Sequence, residues 1–176
     1  EGFGGGEFVS PGAAQVEADT AGGVILAVEF LAGQGHRRVC LVNRNISNYY
    51  RELGLAFRQA ATDTGIAPHV TELVTDEASD ETALVARVKA LDPAPTALLV
   101  EGGRRACRLM PLLVEGNGFA PGRMSVMAIN GRPAHDLVYP ELTRMDLDWR
   151  RMLHRAMEAL IELMGSGRIV RERIGL

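Results

Sequence analysis

Ser47 and Arg51 stand four residues apart at the front of a predicted helix, so both face its N-terminal end. Backbone amides at such an end favour an anion or an electron-rich oxygen. Arginine adds a planar fork of donors suited to carboxylates or vicinal hydroxyl oxygens. Asn130 follows a predicted strand and can both donate and accept. Each residue also has a plain structural role. Ser47 can simply cap its helix, Arg51 can be a solvated surface cation, and Asn130-Gly131 is a strong turn dipeptide. What argues for a site is that these residues come from separate loops that one sheet edge would bring together.

Other chemistry is sparse. His36, His69, His135 and His154 show no metal-ligand spacing, and His154 reads as the exposed side of a helix. Cys40 falls in a predicted strand and Cys107 in a helix, so both read as core or inert thiols. There is no Gly-x-Ser-x-Gly, Cys-x-x-Cys or phosphate-cradling Walker loop. Gly102-Gly103 is only a fragment of a dinucleotide fingerprint. Asp146 and Asp148 read as helix-capping residues, and Arg104-Arg105 and Arg150-Arg151 as solvated pairs. No cofactor is implied.

The elements that would position these groups alternate. Asp19 or Thr20 caps a helix with Val24, Ala27, Val28 and Leu31 on one face, stopped by Gly33 and Gly35. Val39–Val42 reads as a buried strand. Ser47 opens a helix through Tyr50, Leu53, Phe57 and Ala60, ended by Gly65. His69–Val74 is the next strand, and Ser79 or Asp80 caps a helix with Leu84, Val88 and Leu91. Asp92-Pro93-Ala94-Pro95 breaks the chain before the strand Thr96–Val100. Ala106, Leu109, Met110 and Leu113 mark a helix that Pro111 should kink or cut short. Gly118 to Gly122 is a turn, Ser125–Ile129 a strand, and a loop of about ten residues follows. A last helix carries Leu153, Met157, Leu160, Ile161 and Met164, and Arg168–Ile174 can form a final strand. The Gly-rich start offers only a short apolar step at Phe8 and Val9.

Such alternation predicts an α/β fold with a doubly wound parallel sheet covered on both faces. In open parallel sheets ligands bind beyond the carboxyl ends of the strands. That rule selects Asn43–Ser47, Thr75–Ala78, Glu101–Arg104 and Asn130–Pro133. The candidate ligand-binding residues are Ser47, Arg51, Asn130, Asn43 and Gly102.

Composition narrows the function. The 176 residues carry 19 Lys plus Arg against 22 Asp plus Glu, a net charge of −3 that argues against an overall basic nucleic-acid-binding chain. Hydrophobic residues make up 47%, which excludes a long disordered tail. Two cysteines cannot build a disulfide framework, so a reducing cytoplasm is the default. No apolar run approaches the roughly 18 residues of a membrane span.

Several motifs in order carry a family resemblance. They are Asp19-x-x-Gly22-Gly23, Gly35-His36-Arg37-Arg38-Val39, Arg51-x-x-Gly54 before Phe57, Pro95-Thr96-Ala97-Leu98, Pro121 before Ser125-Val126-Met127, and Pro140-x-Leu142-Thr143. Over about residues 16–176 the chain resembles the LacI/GalR family of bacterial transcription regulators. The resemblance implies a periplasmic-binding-protein type I-like architecture. Here it would be mainly the C-terminal lobe of a two-lobed domain, without the helix-turn-helix head and most of the first lobe. On that pattern 1–37 is a remnant of the N-terminal lobe and 38–131 the C-terminal lobe. Residues 132–167 are a crossover and a helix packing on the N-terminal lobe, and 168–176 a strand returning to the C-terminal lobe. Positions matching Ser47 and Arg51 contact the effector in the family, and the position matching Asn130 is usually Asp. The usual Asn-Asp after the third strand is Gly102-Gly103 here.

The implied function is an effector-sensing and dimerising domain that catalyses nothing. It would bind a sugar-like or acidic sugar-derived small molecule, form a homodimer, and meet operator DNA only through a domain absent from this chain. A periplasmic-type solute-binding protein is the alternative. A small nucleotide-using α/β enzyme is disfavoured by the missing nucleophile, base and full glycine fingerprint.

Overall fold

The computed structural model describes residues 12–44, 47–75, 80–115, 124–131 and 142–175. The elements are β1 (Gln15–Ala18), α1 (Thr20–Gly33), β2 (Val39–Arg44), α2 (Asn48–Asp63), β3 (Val70–Thr75) and α3 (Glu81–Lys89). They continue with β4 (Ala97–Glu101), α4 (Gly103–Glu115), β5 (Ser125–Gly131), β6 (Thr143–Asp146), α5 (Trp149–Ser166) and β7 (Arg171–Ile174). Five parallel strands form one sheet in the order β3-β2-β4-β5-β6, and β1 and β7 form a separate parallel pair.

Residues of β2, β4 and β5 alternate between two apolar layers, as the period of two in a strand requires. Val39, Leu41, Ala97, Leu99, Met127 and Ile129 pack with the buried faces of α1 and α2. Cys40, Val42, Leu98, Val100, Val126 and Ala128 pack with α3 and α4. Central parallel strands covered on both faces read as nearly continuous apolar runs, which is how β2 and β4 read. The doubly wound α/β expectation therefore holds. Burial also pushes the Cys40 thiol up to about 12, which makes it an inert core residue.

Local chemistry sets the element ends. Asp19 accepts a hydrogen bond from the Gly22 amide at 3.0 Å. A Cβ on Gly22 would run into that carboxylate, which gives the Asp-x-x-Gly spacing a steric reason. Asp80 and Asp148 cap α3 and α5 through the Thr82 and Arg151 amides. His36 clips the sheet from below. Its Nδ1 lies 3.0 Å from Thr96 Oγ1 and its Nε2 2.9 Å from Ser125 Oγ, at the starts of β4 and β5.

The His36 clip titrates in a known direction. Burial lowers its pKa, so its contribution to stability is present above the ordinary histidine value and is lost as the pH falls. Urea midpoints of wild type and His36→Gln at about pH 7.5 and 5.5 should show wild type losing ground to the variant at the lower pH. A constant gap would remove the titrating role.

Val24, Ala27, Val28 and Leu31 of α1 are buried in the layer shared by α2 and the five-stranded sheet. Three expectations need correction. Pro111 does not cut α4 short, and the helix continues to Glu115. Leu109, Met110 and Leu113 are buried on both sides of an exposed proline, and this anchoring outweighs roughly 3 kcal/mol of proline penalty. β6 forms where no strand was expected. It is a four-residue edge strand whose pattern lies below what periodicity resolves. β1 likewise escaped notice, because its stability comes from β7, more than 150 residues away by register. The Phe8–Val9 step, most of the Gly118–Gly122 turn and Ser79 lie outside the described residues.

α5 buries only Ala159 below the exposure of a core residue. It is tied to β7 by Arg155, which pairs with Glu172 at 2.6 Å and also with Glu158. Leu153, Met157, Leu160, Ile161 and Met164 are 45–79% exposed. This stripe is the apolar face that the sequence pattern identified, and here it has no cover among the described residues.

Candidate functional site

The chain runs from β2 outward to β3 and then back to β4 on the other side of β2. That reversal makes the carboxyl ends of β2 and β4 the topological switch point, where open α/β sheets bind ligands. The polar residues gather there.

Asn43 ends the buried part of β2 and is 1% exposed. Its Nδ2 donates to the Tyr50 carbonyl and to Glu72 Oε1, both at 2.8 Å. Its Oδ1 is buried and unpartnered among the described residues. Ser47 occupies the N-cap position of α2 with extended backbone, but its hydroxyl makes no capping bond. The Ser47 Oγ is also buried and unpartnered. The plain capping role is therefore not what this hydroxyl performs. Arg51, one turn on, is exposed, and no ion pair holds it among the described residues.

Asn130 sits at φ 59°, a left-handed conformation that Asn tolerates better than most residues. Its Nδ2 donates to the Tyr49 hydroxyl, while its Oδ1 is unpartnered. One N–H of the Asn130 amide is thus engaged inside the protein, while its Oδ1 acceptor stays open. Gly102 turns the chain at φ +90°, where a side chain would be strained, and its amide donates to the Ile129 carbonyl at 3.0 Å.

Four residues outside the candidate ligand-binding set complete the edge: Glu101 and Thr75, which open two of the selected strand-end loops, and Arg105 and Tyr49, which lie outside those loops. Glu101 is buried at the end of β4, with Arg44 Nε 3.5 Å from its Oε2. Arg105, read from sequence as solvated, is buried, and donates to Thr75 Oγ1 at 2.6 Å. Thr75 Oγ1 donates in turn to the Asn43 carbonyl at 2.9 Å. Tyr49 is the partner of Asn130. The signal for Arg105 was available: it stands four residues before Leu109 and next to Ala106, on the face of α4 that is buried. The Arg44 guanidinium also lies 5.8 Å from the centre of the Tyr50 ring.

The electrostatics follow from this packing. Burial pushes the Glu101 carboxyl up, while Arg44 and Arg105 pull it down. Burial pushes Arg105 down, helped by the like charge of Arg44, while Glu101 opposes the shift. Burial raises the Tyr49 hydroxyl, and the Glu101 charge adds to that. Buried Arg105 and partly buried Arg44 around one buried carboxylate, with Arg51 exposed one turn into α2, leave the edge with positive character.

Glu101 carries a testable pH dependence. A raised folded pKa means that the stability contributed by the neutral carboxyl is present below the ordinary carboxylate range and lost as the pH rises through the raised value. Relative to Glu101→Gln, which cannot titrate, wild type should therefore lose stability as the pH rises above the ordinary carboxylate range. The attraction of Arg44 and Arg105 for the ionised carboxylate opposes this trend and is already contained in the net upward shift, so the slope of the urea-midpoint difference is the measurement. A flat difference would contradict the burial argument.

Among the described residues no group of three or more His, Cys, Asp or Glu side chains is placed to hold a metal ion, and no helix is long and apolar enough to cross a membrane. An open sheet doubly wound by helices, with a polar cluster at its switch point, defines the lobe type of the periplasmic binding proteins. The chain belongs to the periplasmic binding protein-like domain family, whose model matches residues 28–175. No curated protein sequence matches it.

Solved structures share this fold. A LacI transcriptional regulator from Rhodococcus superposes with a TM-score of 0.85 at 20% identity, covering 95% of this chain and 63% of its own. The Lac repressor bound to ONPG in the repressed state gives 0.77 at 20% identity, over 91% of this chain and 49% of its own. A LacI family transcriptional regulator from Mycobacterium smegmatis gives 0.75 at 22% identity, over 90% and 60%. The chain thus spans less than two thirds of each of these relatives.

Proposed function

We propose that this chain is the effector-sensing part of a LacI/GalR-type transcription regulator, binding a small molecule at the carboxyl edge of the five-stranded sheet. The observation that carries this reading is the set of buried, unpartnered polar atoms at the switch point: Asn43 Oδ1, Ser47 Oγ and Asn130 Oδ1. Leaving such a group unsatisfied costs about 1–3 kcal/mol, and an edge that retains three is built for a partner. The two amide oxygens accept hydrogen bonds and so suit hydroxyls, while the exposed Arg51 guanidinium suits a carboxylate or phosphate. A sugar acid or phosphorylated sugar meets both demands.

Residues 38–131, joined by α1, form the lobe that carries half of an interlobe cleft. Residues 132–167 return the chain toward a first lobe, and 168–176 come back. Ligand in the cleft favours one lobe arrangement, and a homodimer converts it into a change at DNA-binding heads carried elsewhere. The domain acts by binding, in the cytoplasm, and performs no reaction.

A thermal-shift panel on the natural full-length protein tests the ligand class. Sugar acids or sugar phosphates should raise the melting temperature more than their neutral parents. Stabilisation by neutral hexoses alone would overturn the acidic preference, and no response to any member would count against the site. The residues encoded upstream separate a regulator, with a helix-turn-helix, from an exported solute-binding protein, with a signal peptide.

A further inference from the structure

The Asn43 amide is held by two acceptors that do not belong to any ligand. Its Nδ2 donates to the Tyr50 carbonyl on α2 and to Glu72 Oε1 on β3, each at 2.8 Å. An amide nitrogen has two protons, so both are engaged. Turning the group over would set its oxygen against a carbonyl and a carboxylate. The amide is therefore locked with Oδ1 as its only open function, and that oxygen is buried without a partner.

Glu72 is held in turn. Its Oε2 pairs with Arg58 of α2. Gly54, also on α2, lies so close that a Cβ there would stand 2.5 Å from Glu72 Oε1. The absence of a side chain at position 54 is what lets the carboxylate reach between α2 and β2. Arg58, Glu72 and Asn43 form a chain of contacts from the outer surface of edge strand β3 to the end of β2.

We infer that Glu72 is a positioning residue for effector recognition: it fixes the Asn43 amide so that Asn43 Oδ1 reads a hydrogen-bond donor on the ligand. This rests on the effector-binding reading above and adds a demand to it. Whatever acid group the ligand carries, the part seated by Asn43 must be a hydroxyl or an amine, and an acceptor such as a carboxylate or ether oxygen is rejected there.

Two measurements on the natural full-length protein test this, with Glu72→Ala and Glu72→Gln beside wild type. The Gln variant keeps an acceptor for Asn43, and the Ala variant does not. The first is ligand-free: the Asn43 side-chain amide protons, identified by their loss in Asn43→Asp, are followed by NMR solvent exchange. They should exchange at least tenfold faster in Glu72→Ala than in wild type, with Glu72→Gln close to wild type. Equal exchange in all three overturns the lock.

The second is affinity for whichever of glucose, gluconate, glucosamine and glucose 6-phosphate stabilises wild type. Glu72→Ala should bind it at least tenfold more weakly, with Glu72→Gln restoring most of the loss. A Glu72→Ala protein that melts lower but binds unchanged makes Glu72 structural only and overturns the proposal while the effector reading stands. If no member of the panel stabilises wild type, the effector reading itself falls, and the recognition role of Glu72 falls with it.

Discussion

The 176-residue chain is expected to self-associate through α5 at micromolar concentration, and Met157→Lys together with Ile161→Glu is expected to make it a monomer. The α5 stripe of Leu153, Met157, Leu160, Ile161 and Met164 is the largest run of exposed apolar side chains on any one helix described. Burying a large apolar side chain completely is worth about 1.5–3 kcal/mol. Five half-exposed ones, buried on both copies of a pair, offer roughly 10–20 kcal/mol before the cost of association, which is itself several kcal/mol. Micromolar binding needs about 8 kcal/mol net, so the stripe and modest additional contact suffice. Sedimentation should show a dimer or larger species for wild type and a monomer with unchanged helical circular dichroism for the double variant. The substituted positions are exposed, so the fold should survive. A wild-type chain that sediments as a monomer would show that this face does not seek a partner.

The fold was legible because its main elements repeat one pattern. β2, α2, β3, α3, β4, α4 and β5 each carry an apolar period that names the element and a stop signal that bounds it. What escaped was short and nonlocal. β1 and β6 have four residues each, and both gain their hydrogen bonds from distant strands.

The site divides along the same line. The loops could be chosen from topology, and Asn43, Ser47, Gly102 and Asn130 do meet at one edge. The direction of the amides could not be read. Asn130 looked like a donor added where family members carry an acid, yet Tyr49, more than 80 residues away in sequence, engages one N–H of that amide. Arg104-Arg105 looked like a solvated pair, and the rotation of roughly 100° per helical residue separates their fates: Arg104 is exposed and Arg105 is buried against Thr75.

Arg51→Ala in the natural full-length protein is expected to weaken effector binding by tenfold to about a hundredfold and to leave the melting temperature nearly unchanged. The affinity estimate follows from one charge-assisted hydrogen bond to a ligand oxygen, worth about 1.5–3 kcal/mol, with each 1.4 kcal/mol a factor of ten. The stability estimate follows from position. Arg51 is exposed, and no ion pair holds it among the described residues, so surface truncation should change stability by about 0.5 kcal/mol or less. The helix dipole sharpens the contrast. A cation in the first turn of α2 sits at the positive end of the helix, where it is mildly unfavourable, so stability alone gives no reason to place one there. Removing it can even raise the melting temperature slightly. Ser47→Ala should behave alike, because the Ser47 hydroxyl makes no capping bond whose loss would cost the usual 1 kcal/mol or so. Titration calorimetry with the compound selected by thermal shift, run beside urea melts of both variants, separates the two roles. A large loss of stability with unchanged affinity would make Arg51 a structural residue, and would move the ligand away from the N-terminus of α2.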